Sequence, residues 1–133
     1  MVRSKILEKV LEELGKLQNF KIERYNGKYL AISEKEIYYI YFYRQRRNLS
    51  PSHLKSLIEF SKEEINRINK EGKDKKIIII LGTKLTENSK KIVKDLIKGE
   101  NIFIFVNKTK EKYFDKEDAF FNKLVEEIYN KSL

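Results

Sequence analysis

Two unbroken apolar runs constrain the fold of this 133-residue chain more than any other feature. Residues 77–81 are Ile-Ile-Ile-Ile-Leu, and residues 102–106 are Ile-Phe-Ile-Phe-Val. Strands that are apolar on both faces are typical of parallel sheets whose two sides are covered by helices. Between the runs, Thr86 can cap a short amphipathic helix. A strand, a helix and a second strand in this order predict parallel strands in an α/β domain.

A β-hairpin is predicted at Asn26-Gly27, which lies between two alternating runs. This dipeptide favours a two-residue turn because both of its residues accept a positive φ. The turn sets the register of the two strands, with Arg24 opposite Tyr29. Residues 37–44 follow as a run that is almost wholly β-branched or aromatic. Such a run indicates a third strand that is covered on both faces and central in the sheet.

Helices are predicted before, between and after these strands. Apolar residues recur every three or four positions from 2 to 17, which is the pattern of an amphipathic helix. Ser50 followed by Pro51 is typical of a helix start, since serine caps the first turn and proline fits its first position. Asp115 and Asp118 resemble a capping box for the last helix.

The combined pattern predicts one α/β domain over residues 1–133 with the order α-β-β-β-α-β-α-β-α. A three-strand antiparallel meander would be continued by parallel strands. A chain of this length can bury a sizeable core as one domain. No linker, internal repeat or low-complexity segment divides the sequence.

The charge of the chain is strongly basic, with 29 lysines and arginines against 20 acidic residues and a net charge of +9. The excess concentrates in residues 44–76, which hold ten basic and five acidic residues. Such a surplus favours acidic partners, nucleic acid among them. A composition that reflects AT-rich coding or a thermophilic host is an equally open interpretation.

The absence of cysteine excludes disulfides, thiolate zinc sites and a cysteine nucleophile, and it fits a reducing cytoplasm. The first residues carry acids inside their apolar pattern, unlike the core of a signal peptide. No apolar run approaches the roughly 20 residues that a membrane span requires. We therefore expect a cytoplasmic protein without a membrane partner.

Residues 44–106 carry a family resemblance. They contain RQRRNLSPSHLKSLIEF, then IIIILGTKLTENSKKIVKDL, then NIFIFV. This order of a basic strand end, a helix, a strand with a threonine-containing turn, a helix and a strand resembles the second half of Mrr-type restriction endonuclease domains. Those domains belong to the PD-(D/E)xK nuclease superfamily. The resemblance covers about half of the chain and implies a restriction-endonuclease-like fold.

The active site that the resemblance implies is only partly present. The superfamily places an acidic residue on the second strand and Glu or Gln, one spacer and Lys on the third, where the acids hold Mg²⁺. The second strand, residues 28–32, has no carboxylate. On the third strand the nearest substitute is Gln45-Arg46-Arg47. Arginine does not deprotonate in proteins and grips phosphate through its planar fork instead.

Other side chains could replace the missing ligands. The candidate catalytic residues are Glu23, Glu34, Glu36, Gln45 and Arg47. With such a set the cofactor would be Mg²⁺ or Mn²⁺, and without it no cofactor is implied. Ordinary solvated acids in turns and on strands are the competing interpretation.

A basic cluster follows the aromatic third strand and gives the leading functional hypothesis. Arg44, Arg46 and Arg47 can neutralise phosphates, and Lys55 on the next helix could extend the contact. A solvated strand end is the competing interpretation. The sequence thus favours a nuclease-like domain without a complete metal site that binds nucleic acid. An active Mg-dependent nuclease with rearranged carboxylates, and a non-catalytic interaction domain or homodimer, remain as alternatives.

Overall fold

A computed structural model describes residues 2–130 of the chain, with side chains from residue 5 onward. The helices are α1 (Val2–Gln18), α2 (Pro51–Ile68), α3 (Glu87–Ile97) and α4 (Ala119–Asn130). The strands are β1 (Lys21–Tyr25), β2 (Lys28–Ile32), β3 (Glu36–Tyr43), β4 (Asp74–Leu81), β5 (Ile102–Val106) and β6 (Glu111–Tyr113). Over these residues, no helix is long and apolar enough to cross a membrane.

The six strands form one mixed sheet in which the spatial order follows the chain order. The first three strands are antiparallel, β4 and β5 continue parallel to β3, and β6 is antiparallel to β5. The predicted α/β class and the meander with its parallel continuation are confirmed, as is the pairing of Arg24 with Tyr29. The predicted order lacked β6, because three residues reading Glu-Lys-Tyr carry no strand pattern. A turn through Lys110, whose φ is 61°, brings them back beside β5.

Helices cover both faces of the sheet, which explains the unbroken apolar runs. Alternate residues of β4 face opposite layers, since Ile77 and Ile79 pack in the α2 and α3 layer while Ile78 and Ile80 pack in the α1 and α4 layer. The same division holds along β5. Every residue from 77 to 81 is buried as a result.

The ends of two helices differ from the predictions. Asp118 alone caps α4, since its Oδ1 accepts from the Phe121 N–H at 2.9 Å. Asp115 instead accepts from the Gly99 N–H at 2.7 Å.

In the last turn of α1, Leu17 is 71% exposed rather than part of the buried stripe. Gly15 takes the inner position there, and the chain folds back so tightly that a Cβ atom on Gly15 would lie 2.8 Å from the backbone oxygen of Phe20.

A buried ion pair joins β2 to α2. The Lys28 ammonium lies 2.9 Å from Glu64 Oε1, and both side chains are less than a tenth exposed. The Tyr39 hydroxyl donates to the same carboxylate oxygen. The rings of Tyr41 and Phe60 lie 5.1 and 4.9 Å from the ammonium. Burial alone would raise the pKa of the Glu64 carboxyl, but hydrogen bonds from Tyr39 and Lys28 outweigh it and hold that pKa below its ordinary value.

The lowered pKa of Glu64 predicts a loss of stability in acid. Its stabilising contribution is fully present above the ordinary pKa of the carboxyl in the unfolded chain, about 4.5, and disappears as the pH falls through the lower folded-state pKa. We expect the stability advantage of the wild-type protein over Glu64→Gln to shrink as the pH falls from about 5 through the lower folded-state pKa. Urea unfolding of both proteins at several pH values measures this difference, and an advantage that stays constant over the range would contradict the prediction.

Candidate nucleic-acid interface

The loops that follow the parallel strands meet at one edge of the sheet. We call this surface the carboxyl edge, and it comprises residues 44–50, 82–86 and 107–110 after β3, β4 and β5. Backbone hydrogen bonds connect the strand ends, since the Gly82 N–H donates to Tyr43 and the Asn107 N–H donates to Leu81, each at 2.9 Å.

The three loops of the carboxyl edge contain basic residues but no acidic ones, and Glu87 and Glu111 follow directly after two of them. The basic residues of these loops are Arg44, Arg46, Arg47, Lys84, Lys108 and Lys110, all exposed. The loops at the opposite edge, residues 33–35, 69–73 and 98–101, hold four basic and three acidic residues. The positive potential is therefore concentrated at the carboxyl edge of the sheet.

Two helices add to this positive potential, because α2 and α3 both begin at the carboxyl edge. Ser50 caps α2 and accepts from the His53 N–H, and Thr86 caps α3 and accepts from the Ser89 N–H. A helix start carries a partial positive charge from its aligned peptide dipoles. The backbone thus reinforces the charge of the side chains.

Hydrogen bonds fix the loop that carries the three arginines. The buried Thr83 hydroxyl accepts from the backbone N–H of Gln45 and donates to its carbonyl, each at 2.9 Å. The Gln45 side chain accepts from the Tyr43 hydroxyl and donates to the carbonyls of Arg47 and Asn48. Gln45 therefore organises the loop. Sequence reasoning missed the role of Thr83, although its position two residues after a buried strand was visible.

The arginines are exposed and are not part of any salt bridge found over the described residues. The aliphatic stem of Arg44 crosses Gly82. A Cβ atom built on Gly82 would lie 3.5 Å from each of three side-chain carbons of Arg44. Arg46 and Arg47 line an open depression of about 420 Å³ together with Asn48, Ser50 and His53. Lys55 is exposed on α2 but does not line this depression.

The candidate catalytic residues do not converge. Glu23 lies on β1 and pairs with Lys21 at 3.3 Å, and Glu34 lies exposed in the turn before β3. Glu36 begins β3, whereas Gln45 and Arg47 follow its other end. Eight residues of strand separate those ends, which is roughly 25 Å. Within residues 5–130, no three His, Asp or Glu side chains are arranged to hold a metal ion.

Glu36 belongs to a second ionic cluster, on the α4 side of the sheet. The Lys76 ammonium lies 2.5 Å from Glu36 and 3.1 Å from Asp118. The Tyr38 hydroxyl donates to Asp118 at 2.8 Å. Burial would lower the pKa of the Lys76 ammonium, but its hydrogen bonds to these groups raise it. The Lys76 ammonium binds both carboxylates, and Asp118 also caps α4, so the cluster acts as a structural link between the sheet and α4.

No family model, no curated protein and no solved structure matches this chain. The carboxyl edge is therefore interpreted from its own charge and geometry. Its two distinguishing properties are the exclusively positive loops and the hydrogen bonds that hold the arginine loop in place.

Proposed function

We propose that this chain binds nucleic acid through the carboxyl edge, with Arg44, Arg46 and Arg47 contacting phosphates. The observation that carries the proposal is the set of six exposed basic residues in three adjoining loops without a carboxylate. A guanidinium group binds a phosphate through two parallel N–H donors. Unpaired arginines on a fixed loop are suited to this contact, because no internal ion pair has to break before they bind.

Preorganisation strengthens the case. Gln45 and Thr83 hold the backbone of the arginine loop, so little conformational entropy is lost when the loop binds a ligand. The starts of α2 and α3 direct backbone N–H groups toward the same edge, where they favour negative charge. Phosphate contacts of these kinds provide affinity and position without reading base sequence.

We also propose that the fold of this chain is restriction-endonuclease-like. An opening helix, an antiparallel meander, a helix and a further parallel strand support it, as does the resemblance of residues 44–106 to Mrr-type domains. The candidates Glu34 and Glu36 lie at the edge opposite Gln45 and Arg47, so the geometry favours binding over metal-dependent cleavage. A homodimer stays a prediction.

Salt-dependent titration tests the proposal. We expect wild-type protein to bind labelled DNA or RNA with an affinity that falls steeply as salt rises, because bound phosphates release counterions. In an Arg44→Ala, Arg46→Ala and Arg47→Ala variant, the slope of log affinity against log salt should fall by about 2 to 3. Fluorescence anisotropy at several salt concentrations measures this slope.

A charge-matched control separates a local site from general attraction. Lys35, Lys70 and Lys98 are exposed at the opposite edge, and replacing all three with alanine removes the same total charge. We expect this control to retain most of the affinity and the salt slope of the wild type. Equal losses in the two triple variants, or wild-type binding that does not respond to salt, would reject the carboxyl edge as the interface.

A further inference from the structure

An exposed aromatic ring lies at the carboxyl edge beside β5. Tyr129, near the end of α4, is 46% exposed. Its ring centroid lies 5.8 Å from that of the buried Phe105. The Lys110 ammonium lies 4.9 Å from the Tyr129 ring and also donates to Asn107 at 2.8 Å. An anchored ring flanked by an ammonium group is thus presented at the edge of the sheet.

The Tyr129 ring lies at the same edge of the sheet as the three arginines. Neighbouring strands lie about 4.8 Å apart, so the ends of β3 and β5 are separated by about 10 Å. The stem of Arg44 spans part of this interval because it crosses Gly82 at the end of β4. A strand that keeps the spacing it has in a duplex advances about 3.4 Å per nucleotide, so it would cover this distance in about three nucleotides.

From this juxtaposition we propose that the carboxyl edge binds single-stranded nucleic acid in preference to duplex, with one base stacked on the Tyr129 ring. This inference rests on the proposed function and adds the class of substrate. A duplex buries the faces of its bases between neighbouring pairs, whereas a single strand can turn a base onto a ring. A base on Tyr129 would bring its own phosphates close to Lys108 and Lys110, while Arg44 takes a phosphate further along.

The experiment compares two probes of similar length on the same proteins. Labelled oligothymidylate of about 12 nucleotides and a duplex of about 12 base pairs fit the site sizes of single-strand-binding folds. We expect wild-type protein to bind the single strand more tightly. Tyr129→Leu keeps an apolar contact with Phe105 but lacks the ring, so it should weaken single-strand binding roughly tenfold and leave duplex binding within about twofold.

Two further variants make the result specific. Tyr129→Phe keeps the ring and should retain the affinity for the single strand. Phe60 is a matched control, since it is 43% exposed and also has an ammonium, that of Lys28, at 4.9 Å. It lies nine residues into α2, about 14 Å from the helix start at the carboxyl edge. Phe60→Leu should leave binding to both probes unchanged.

The outcomes distinguish the inference from the proposed function. The single-strand inference is overturned if the duplex binds more tightly, or if Tyr129→Leu affects both probes equally or neither. Salt-dependent binding of phosphates by the arginines can still be true in these cases. A wild-type protein that binds neither probe overturns both. Loss confined to the single strand, restored in Tyr129→Phe, supports the stacking of a base on the ring.

Discussion

Replacing Lys28 with methionine will lower the free energy of unfolding by about 3 kcal/mol or more, because it leaves a buried carboxylate without its main partner. The Glu64 side chain is only 5% exposed, and its ammonium partner lies at 2.9 Å. Arg67 approaches the other carboxylate oxygen at 3.6 Å but is largely in solvent, so it compensates weakly. Urea unfolding at neutral pH measures the loss, and an unchanged slope confirms that the folded state stays compact.

Matched variants show whether the loss comes from the unpaired charge. Lys62→Met removes a lysine whose pair with Glu100 is about one-third exposed, and it should cost no more than about 1 kcal/mol. Lys28→Met combined with Glu64→Leu removes both charges, and adding Tyr39→Phe removes the hydroxyl that would otherwise be left without its carboxylate. The triple variant should recover most of the stability, since an apolar replacement of a buried pair is often neutral. A cost at Lys28 equal to that at Lys62 would contradict this account.

Replacing Lys76 with methionine is the second substitution expected to have a large effect, again about 3 kcal/mol at neutral pH. Two carboxylates lose their shared partner in this case, Glu36 at 2.5 Å and Asp118 at 3.1 Å. Asp118 is 5% exposed at the side chain and also caps α4. We therefore expect α4 to detach first, which hydrogen exchange of its backbone amides would detect as lower protection than in β4.

Asp118→Asn tests whether the stability lost in Lys76→Met can be restored. Asparagine caps a helix about as well as aspartate and still accepts from the Tyr38 hydroxyl, but it carries no charge. Combined with Lys76→Met, it should restore a large part of the lost stability. Lys75→Met on the same strand is the control, because Lys75 is exposed and its ammonium donates to the Asn66 side chain. This variant should change stability by less than about 0.5 kcal/mol. Failure of the asparagine to rescue would show that Lys76 stabilises the fold by packing, not by charge.

The elements of the fold could be predicted because their signals are local. Asn26-Gly27 sets the hairpin register, and Ser50-Pro51 sets the start of α2, each through the conformations of adjacent residues. Strand β6 was not predicted, because it forms by pairing with β5 and its own three residues carry no signal for that pairing. The burial of residues 77–81 between two layers, by contrast, was expected, because their apolar run is unbroken.

The candidate site was predicted in part for the same reason. The arginines of the loop after β3 were recognised from their spacing, since three basic residues in four positions need no tertiary information. Thr83 and Tyr129 were not recognised, because one acts through a hydrogen bond across 38 residues and the other through a helix that reaches the edge from the opposite face. Lys76 was missed because nothing in the sequence reveals that two distant carboxylates meet at its ammonium.

The strictly sequential sheet has a consequence for the order in which the protein is assembled during synthesis. Every strand pairs with its neighbour in the chain, so each strand can join the sheet as the chain emerges. The parallel pairs of β3 with β4 and of β4 with β5 join residues 38 and 25 positions apart, and pairing over such separations slows folding. The layer of α1 and α4 is different, because α4 is made after all six strands. Until then Phe103 and Phe105 lack the aromatic residues of α4 that cover them, among them Phe121 at 5.2 Å from Phe103. The nascent chain therefore exposes the part of this apolar face that α1 does not cover, and this part is where aggregation or chaperone capture would begin.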